Sequence, residues 1–355
     1  MGIPLKLTYD DVLLEPKWSD TEPKNVNTET KICGLPLQIP ILSAAMDTVT
    51  GRDMALALGK QGGLGVVHKS MSIKDQASIV KEVFSAGYTA AAAIGANAES
   101  LDRAQALVEA GCKIICIDSA HGHSKNVIET AKKIKKAFPQ VKLIVGNIVT
   151  REAVRDLVKI GVDGIKVGIG PGAICTTRVV AGVGMPQLSA IMDVREALKG
   201  SKVSLIADGG IKNSGDIVKA LAAGADAVML GGQLAGTDEA LGFLVTKGGK
   251  KYKSFRGMGS LGAMTEGSSD RYFQSEIAVN KLVPEGVEAL VEYKGSLSSV
   301  LAQLVGGLRA GMGYIGATTV LDMRKQAKFV QITSLGTRES HPHDLSEYTP
   351  APNYP

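Results

Sequence analysis

Residues 164–178 read Gly-Ile-Lys-Val-Gly-Ile-Gly-Pro-Gly-Ala-Ile-Cys-Thr-Thr-Arg. The first four predict a buried strand, and the glycines and proline that follow do not suit a helix or the interior of a sheet. The loop therefore presents Cys175 to a ligand. A free cysteine is often only a small apolar core residue. Here, however, Thr176, Thr177 and Arg178 follow it, and a neighbouring cation lowers the pKa of a thiol, which makes it a nucleophile.

Other short apolar runs along the chain resemble this strand, and segments with helical spacing of apolar residues separate them, as over 99–110, 124–138 and 214–223. A run without alternation is typical of a parallel strand that is covered on both faces. Strands that alternate with helices in eight units predict an α/β fold, the (β/α)8 or TIM barrel. The predicted strands are 39–43, 65–68, 90–94, 114–118, 143–146, 164–168, 203–208 and 227–231.

The composition indicates one large globular domain. Apolar residues make up 45% of the 355 residues and charged residues 21%, and the chain has 42 glycines, as expected for a folded protein with many tight turns. We expect residues 1–355 to form a single barrel domain. The net charge is only +5 and there is no basic tract with interleaved aromatics, so nucleic acid is not an expected partner. No apolar run is long enough to span a membrane.

The cysteines indicate a reducing compartment. Cys33, Cys112, Cys116 and Cys175 are too sparse for a disulfide scaffold, and the chain opens without a signal peptide, so we expect a cytoplasmic protein. Cys112 and Cys116 lie on one apolar run without histidines nearby. We therefore predict that they are core residues rather than metal ligands.

Polar residues collect at the ends of the predicted strands, which is where barrels of this kind carry their active sites. Any one of them could simply cap a helix or close a turn, but together they predict a site. The paired glycines after the last two strands can expose backbone amides to a phosphate. Besides the Cys175 loop, the candidates are Ser43, Met46, Asp47, His68, Lys69, Asp118, Ser119, His121, His123, Asn147, Asp208, Gly209, Gly210, Gly231 and Gly232.

The regular alternation stops after Gly232. Residues 245–295 are rich in Lys, Gly and Ser and are too long for an ordinary connection, which predicts a catalytic flap inserted after strand eight. A last helix is predicted over 296–312, and the tail from residue 339 onward is expected to be extended. His341 and His343 in that tail lack the further ligands that a tight transition-metal site needs.

Motifs along nearly the whole chain resemble those of the inosine 5'-monophosphate dehydrogenase family. Members of this family usually carry two regulatory CBS modules after the second strand. Here the third predicted strand follows too soon after residue 75 for that insert to be present. Besides the Cys175 loop, the motifs are Leu-Thr-Tyr-Asp-Asp-Val-Leu-Leu at 7–14, Met-Asp-Thr-Val-Thr at 46–50, Asp-Ser-Ala-His-Gly-His-Ser at 118–124, Gly-Val-Gly-Met-Pro-Gln at 182–187, Arg-Gly-Met-Gly-Ser at 256–260, Leu-Val-Pro-Glu-Gly at 282–286 and Glu-Ser-His at 339–341.

The resemblance implies the NAD-dependent oxidation of inosine 5'-monophosphate (IMP) to xanthosine 5'-monophosphate, a step of guanine nucleotide biosynthesis. Cys175 would add to C2 of the purine, and after hydride transfer to NAD, water would hydrolyse a covalent thioimidate. Arg271 and Tyr272 of the flap, with Thr177, would replace the nicotinamide and activate that water. Arginine is a poor base at its ordinary pKa, so this role requires an altered environment or assistance.

The resemblance also implies the ligand contacts and a homotetramer. Asn147 and Asp208 would hold substrate hydroxyls, and Glu285 would read the base. The implied substrate-binding residues are Ser43, Met46, Asn147, Ala173, Asp208, Gly209, Gly210, Gly231, Gly232, Phe255, Gly257, Met258, Gly259 and Glu285. The implied NAD-binding residues are Asp118, Ser119, Ala120, His121, Gly168 and Gly170. A potassium ion (K+) would be enclosed by Gly170, Gly172 and Cys175 with the tail residues Glu339, Ser340 and His341 of a neighbouring subunit.

Three of the positions that depart from the family pattern are ones that supply hydroxyls to the substrate phosphate in the family. The family usually has serine at 173, serine or another polar residue at 232 and tyrosine at 255, where this chain has Ala173, Gly232 and Phe255. The loss of up to three hydroxyls would weaken phosphate binding by about 0.5 to 1.5 kcal/mol each, unless backbone amides carry most of it. The chain is therefore either a dehydrogenase with a relaxed phosphate pocket or a sister enzyme that acts on a different or non-phosphorylated purine derivative.

Other hypotheses remain open. GMP reductase shares the barrel and the cysteine loop but lacks the arginine and tyrosine found here at Arg271 and Tyr272. A flavin-dependent barrel oxidoreductase would also account for the phosphate glycines. A catalytically silent nucleotide-binding protein would account for the altered phosphate contacts, although the retention of Cys175 and Thr177 with the flap pair opposes it.

Overall fold

The computed structural model describes residues 2–272, 274 and 277–354. Residues 273, 275 and 276 of the predicted flap and the two terminal residues of the predicted domain lie outside this part of the chain. Eight parallel strands, β1 to β8 in chain order, form a closed barrel in which β8 pairs with β1. The predicted (β/α)8 barrel is thereby confirmed, with every predicted strand end within two residues. The strands are β1 Ile41–Ser43, β2 Leu64–Val67, β3 Ala91–Ile94, β4 Ile114–Asp118, β5 Lys142–Ile148, β6 Gly164–Val167, β7 Ser204–Asp208 and β8 Ala227–Leu230.

Eight helices, α1 to α8, surround the barrel, one after each strand. Each buries an apolar face: α4, for example, buries Val127, Ala131 and Ile134, at the three- and four-residue spacing of one helix face. The last of the eight, α8, packs against α7 and α1 and so completes the outer ring. The helices are α1 Arg52–Lys60, α2 Ile73–Ser85, α3 Ser100–Glu109, α4 Lys125–Ala137, α5 Arg151–Ile160, α6 Gln187–Ala197, α7 Ser214–Ala222 and α8 Leu297–Tyr314.

The amino-terminal end of the barrel is closed. A hairpin of the short strands Thr30–Ile32 and Leu35–Leu37 contributes Ile32 and Cys33 to the apolar cluster that fills the barrel interior. Cys116 belongs to the same cluster, and Cys112 is also buried, as predicted for core residues. A ligand can therefore reach the barrel axis only from the carboxyl ends of the strands.

The segment between β8 and α8 contains more regular structure than the predicted flap. Strands Leu244–Lys247, Lys250–Arg256 and Glu288–Glu292 form an antiparallel sheet with Lys250–Arg256 in the middle. This sheet was missed because its strands are short, half-exposed and rich in charge, so their apolar alternation is weak. Residues 257–287 form the extension between the last two strands, and the flap motif lies within it.

Segments near the two ends of the chain pair with each other. Strand Val12–Leu14 pairs with Phe329–Gln331, and a short helix, Ser334–Glu339, precedes the exposed tail. The tail was expected to be extended from residue 339, and it begins one residue later because Glu339 is the last residue of this helix. Among the residues described, no helix combines the length and the apolar character needed to cross a membrane.

Candidate active site

A cavity of about 560 Å³ opens at the carboxyl ends of the strands, a volume within the usual range for small-molecule sites. Most of the residues that the sequence predicted for the site line this cavity, although they come from strand ends far apart in the chain. They are Met46, Asp118, Ala120, Asn147, Gly168, Gly170, Gly172, Ala173, Cys175, Thr177, Asp208, Gly209, Gly210, Gly231, Gly232, Phe255, Gly257, Met258, Gly259, Arg271, Tyr272 and Glu285.

The remaining predicted residues do not line this cavity. The Ser43 hydroxyl is buried and accepts a hydrogen bond from Thr50 Oγ1 at 2.8 Å, so it lies within the barrel wall. His341 is in the exposed tail, where its Nδ1 lies 2.7 Å from the Tyr354 hydroxyl. The residues outside the cavity lining are Ser43, Asp47, His68, Lys69, Ser119, His121, His123, Glu339, Ser340 and His341.

Backbone geometry fixes the loop that carries the thiol. Gly168 has a φ of +145°, and a Cβ there would lie 2.1 Å from the Asp208 carbonyl oxygen, so only glycine lets β6 pass this close to β7. The Arg178 side chain donates to the carbonyls of Ile169 and Met185. Arg178 therefore holds the two ends of the loop together.

Cys175 stands at the tip of this loop, half-exposed to the cavity. Its Sγ lies 3.2 Å from Thr177 Oγ1. The amide of Thr176 donates to the Glu285 carbonyl at 2.9 Å, and the amide of Glu285 donates to the Gly259 carbonyl at 2.9 Å. The loop is thus tied to the segment that carries Glu285, which keeps the thiol and this carboxylate on one cavity wall.

The other three thiols differ from Cys175 in their surroundings. Cys33, Cys112 and Cys116 are buried. Burial raises the pKa of all three thiols, that of Cys112 to about 12. Because a thiolate is the reactive form, these cysteines are inert near neutral pH. Cys175 is therefore the thiol that the fold exposes to a substrate.

A buried lysine on β6 connects the carboxylates of the site. Lys166 is 2% exposed, and its Nζ lies 2.8 Å from Asp118 Oδ1 and 2.7 Å from Asp208 Oδ2. It also donates to Asn147 Oδ1. The sequence did not identify Lys166 as a site residue. The available signal was a single cation within a run predicted to be buried on both faces, because such a charge requires buried partners.

The flap is docked over the ends of β2, β3 and β4. Arg271 forms an ion pair with Asp118, and its carbonyl accepts the Ala120 amide at 3.1 Å. The preceding residue, Asp270, forms an ion pair with Lys69 and accepts a hydrogen bond from Asn97 Nδ2 at 3.0 Å. Burial lowers the pKa of Lys69, and the Asp270 carboxylate opposes this shift. Two ion pairs therefore hold the flap closed.

Tyr272 packs directly beside the thiol wall. A Cβ at Gly259 would lie 2.6 Å from the Tyr272 Cζ atom, so the hydroxyl end of the ring lies against this glycine. Burial raises the pKa of Tyr272, which keeps its hydroxyl protonated near neutral pH.

We call the part of the cavity at Cys175, Thr177, Asp118 and Arg271 the thiol end.

The opposite part of the cavity, at Gly210, Gly231, Gly232 and Phe255, is called the glycine end. Phe255 is 3% exposed, and a Cβ at Gly232 would lie 3.5 Å from its Cε1 atom, which is ordinary contact. Ala173 also lines the cavity but carries no polar side-chain atom. Ala173, Gly232 and Phe255, which depart from the family pattern, therefore supply no hydroxyl to this end of the cavity.

A closed (β/α)8 barrel with a thiol on the loop after β6 and an arginine flap docked beside it defines a thiol-dependent barrel enzyme. The chain belongs to the IMP dehydrogenase / GMP reductase family, whose domain model matches residues 6–343. It is 45% identical to inosine-5'-monophosphate dehydrogenase of Borreliella burgdorferi, over 97% of this chain and 98% of the relative. The proteins of the same name from Cryptosporidium parvum and Methanocaldococcus jannaschii are 44% and 42% identical, each over 98% of this chain and 97% of the relative.

The Methanocaldococcus jannaschii relative is considerably longer than this chain. The alignment with the Methanocaldococcus jannaschii protein extends over 480 positions, whereas this chain has 355 residues, so that relative contains long segments with no counterpart here. In this chain, residues 68–72 alone separate β2 from α2. This agrees with a form of the family that lacks the CBS insert.

Proposed function

We propose that this chain oxidises inosine 5'-monophosphate to xanthosine 5'-monophosphate with NAD, and so serves guanine nucleotide biosynthesis. The observation that carries the proposal is the thiol end, where Cys175 lies 3.2 Å from Thr177 beneath a flap closed by Arg271. The family and the names of its relatives support the substrate and the reaction type. The four cysteines are free, which supports the predicted reducing, cytoplasmic location.

In the first half-reaction, the Cys175 thiolate adds to C2 of the purine, and hydride leaves that carbon. The acceptor for this hydride would be NAD, for which Asp118 and Ala120 of the cavity lining are proposed contacts. A covalent thioimidate on Cys175 remains. Glu285 is proposed to hold the base, and its two backbone hydrogen bonds, to Thr176 and Gly259, fix it on the thiol wall. Asn147 and Asp208 are proposed to hold the ribose, and Lys166 keeps both in place.

In the second half-reaction, water attacks the same carbon, and the thiol and xanthosine 5'-monophosphate are released. Arg271 contacts Asp118, which is also a proposed NAD contact, so flap and dinucleotide would use one carboxylate in turn. Arginine stays protonated under ordinary conditions and needs assistance to accept a proton from water. The Thr177 hydroxyl is the group of this chain proposed to assist it.

The potassium ion and the homotetramer are further parts of the proposal. Carbonyl oxygens are suitable ligands for a hard cation. The Gly172 carbonyl accepts the Cys175 amide at 3.1 Å, and its second lone pair is compatible with a cation. Ser340 and its neighbours would complete the site from another subunit. Gel filtration, and activity in potassium against lithium salt, test both parts.

The decisive experiment is to mix the chain with inosine 5'-monophosphate and NAD and to follow NADH by absorbance and the product by chromatography. Cys175→Ala should reduce both products by about three orders of magnitude or more, because the covalent route is lost. Cys112→Ala is the matched control, since this buried thiol takes no part. If NADH formed at an undiminished rate in Cys175→Ala, the mechanism would be wrong.

A second candidate is an enzyme that acts on a purine riboside without the phosphate. It is favoured by Phe255, whose buried apolar ring lies against Gly231 and Gly232. Comparison of kcat/KM for inosine 5'-monophosphate and inosine separates the two. A large preference for the monophosphate would exclude the second candidate.

A further inference from the structure

We infer that Tyr9 is a substrate-binding residue that donates a hydrogen bond to the 5'-phosphate at the glycine end. This inference rests on the proposed function. Tyr9 belongs to a single 3-10 turn, Tyr9–Asp11, which precedes the barrel in the chain. Its side chain nevertheless lines the same cavity as Cys175.

The hydroxyl group of Tyr9 is buried and unpaired. The residue is 2% exposed, and its hydroxyl has no hydrogen-bond partner within the described part of the chain. A Cβ at Gly210 would lie 3.6 Å from Tyr9 Cε2. This atom is bonded to the ring carbon that carries the hydroxyl, so the hydroxyl end of the ring is the part at Gly210. Because leaving a buried hydroxyl unpaired is unfavourable, a ligand atom is the expected partner.

The environment makes this hydroxyl a donor. Burial raises the pKa of Tyr9, and the carboxylates of Asp216 and Asp208 raise it further. The phenol therefore keeps its proton near neutral pH. Neutral phenol has one proton to give, and a phosphate oxygen, as an anionic acceptor, forms a stronger hydrogen bond with it than a neutral group does.

The backbone of the turn holds the ring in place. Both the amide and the hydroxyl of Thr8 donate to Asp11 Oδ2 at 2.7 Å, which closes the turn. Lys219 on α7 donates to the Tyr9 carbonyl at 3.0 Å. These contacts fix the backbone around Tyr9 and therefore the position from which its ring enters the cavity.

Tyr9 thus supplies what the neighbouring positions lack. Ala173, Gly232 and Phe255 contribute no hydroxyl to the glycine end. The Phe255 ring lies at Gly232 and the Tyr9 ring lies at Gly210, and of these two rings only that of Tyr9 carries a hydrogen-bond donor. A hydroxyl on the amino-terminal turn therefore compensates for hydroxyls absent from the loops.

The test is Tyr9→Phe, which removes the oxygen and keeps the ring. For inosine 5'-monophosphate we expect KM and the calorimetric dissociation constant to rise about tenfold or more, as for a lost hydrogen bond to a charged group, with kcat nearly unchanged. For inosine, which has no phosphate, we expect no change. Tyr88→Phe, at a half-buried tyrosine outside the cavity, is the matched control. The urea midpoint of Tyr9→Phe should not fall, since the removed hydroxyl has no partner in the protein.

Three results would overturn the inference. One is a KM and a dissociation constant for the monophosphate that stay within about twofold of the original. Another is an equal loss for inosine, which would assign the hydroxyl to the ribose. The third is a lower urea midpoint, which would assign it to the fold. If the unmodified chain failed to oxidise the monophosphate, the proposed function would fall, while calorimetry would still decide the role of Tyr9.

Discussion

The two ends of the cavity are held together by different forces. At the thiol end, Lys166 joins Asp118 to Asp208, and Arg271 closes on Asp118 from the flap. At the glycine end, the walls are glycine backbone and the buried ring of Phe255. A charge at the thiol end has several partners, whereas a side chain at the glycine end has mostly backbone around it.

This difference explains where the chain departs from the family pattern. Removing one member of a buried ion network leaves its partners without compensation, which costs about 3 to 5 kcal/mol. Exchanging serine for alanine or tyrosine for phenylalanine at a wall of glycines removes one neutral hydrogen bond, worth about 0.5 to 1.5 kcal/mol. Substitutions at Ala173, Gly232 and Phe255 are therefore tolerated by the fold, while those at Lys166 are not.

The largest effect is expected at Lys166, the centre of the thiol end. Lys166→Met keeps the length of the side chain but leaves the Asp118 and Asp208 carboxylates buried without their cation. We expect the free energy of unfolding in urea to fall by about 3 to 5 kcal/mol. Lys159→Met, at a lysine that is 77% exposed, is the control and should change it by less than about 1 kcal/mol. An unchanged stability in Lys166→Met would remove the proposed contrast between the two ends.

The barrel itself could be predicted from the sequence because its strands are covered on both faces. Such strands appear as short uninterrupted apolar runs, and most of them end at or just before a glycine or a polar residue that begins a loop. The surface sheet at the base of the flap could not be predicted in this way. Its middle strand, Lys250–Arg256, buries only Lys253 and Phe255, and its other residues are polar or half-exposed.

The site could be predicted only in part, for a related reason. Loop residues such as Cys175 are identified by what stands next to them in the chain. Lys166 is recognised as a site residue by its ion pairs with Asp118 and Asp208, which lie on other strands. Tyr9 is recognised by a buried hydroxyl without a partner among the described residues. A lone cation in a buried run indicates that Lys166 has partners, but which residues they are, and that the Tyr9 hydroxyl has none among those that the structure describes, becomes visible only in the folded chain. Arg271 was predicted from a resemblance to a family. Its ion pair with Asp118 could be identified only in the folded structure.

A smaller effect is expected where the flap meets the barrel. Asp270→Asn removes the charge that pairs with Lys69 and leaves this ammonium 9% exposed and uncompensated, which favours the open flap. If closure of the flap serves hydrolysis alone, the first phase of NADH formation after rapid mixing should be the same in Asp270→Asn as in the unmodified chain. Steady-state turnover of the variant should then be about tenfold slower.

Glu266→Gln is the control for this variant, because Glu266 is an exposed acid of the same segment and its partner Arg256 retains Asp47. Turnover in the control should stay within about twofold. An equal loss in both phases of Asp270→Asn would contradict the role of the Lys69 pair as a latch and would make it part of the scaffold of the thiol end.

The smallest effect, and the only gain, is expected at the glycine end. Gly232→Ser adds a Cβ that meets Phe255 Cε1 at 3.5 Å, so the new side chain fits without displacing the ring. Its hydroxyl adds one phosphate contact, and KM for inosine 5'-monophosphate should fall about threefold to tenfold, with KM for inosine unchanged. Gly232→Ala introduces the same Cβ without the hydroxyl and should leave both values as they were. If serine instead raised KM for the monophosphate while alanine did not, the glycine end would have to accommodate something other than a phosphate, and the second candidate function would gain support.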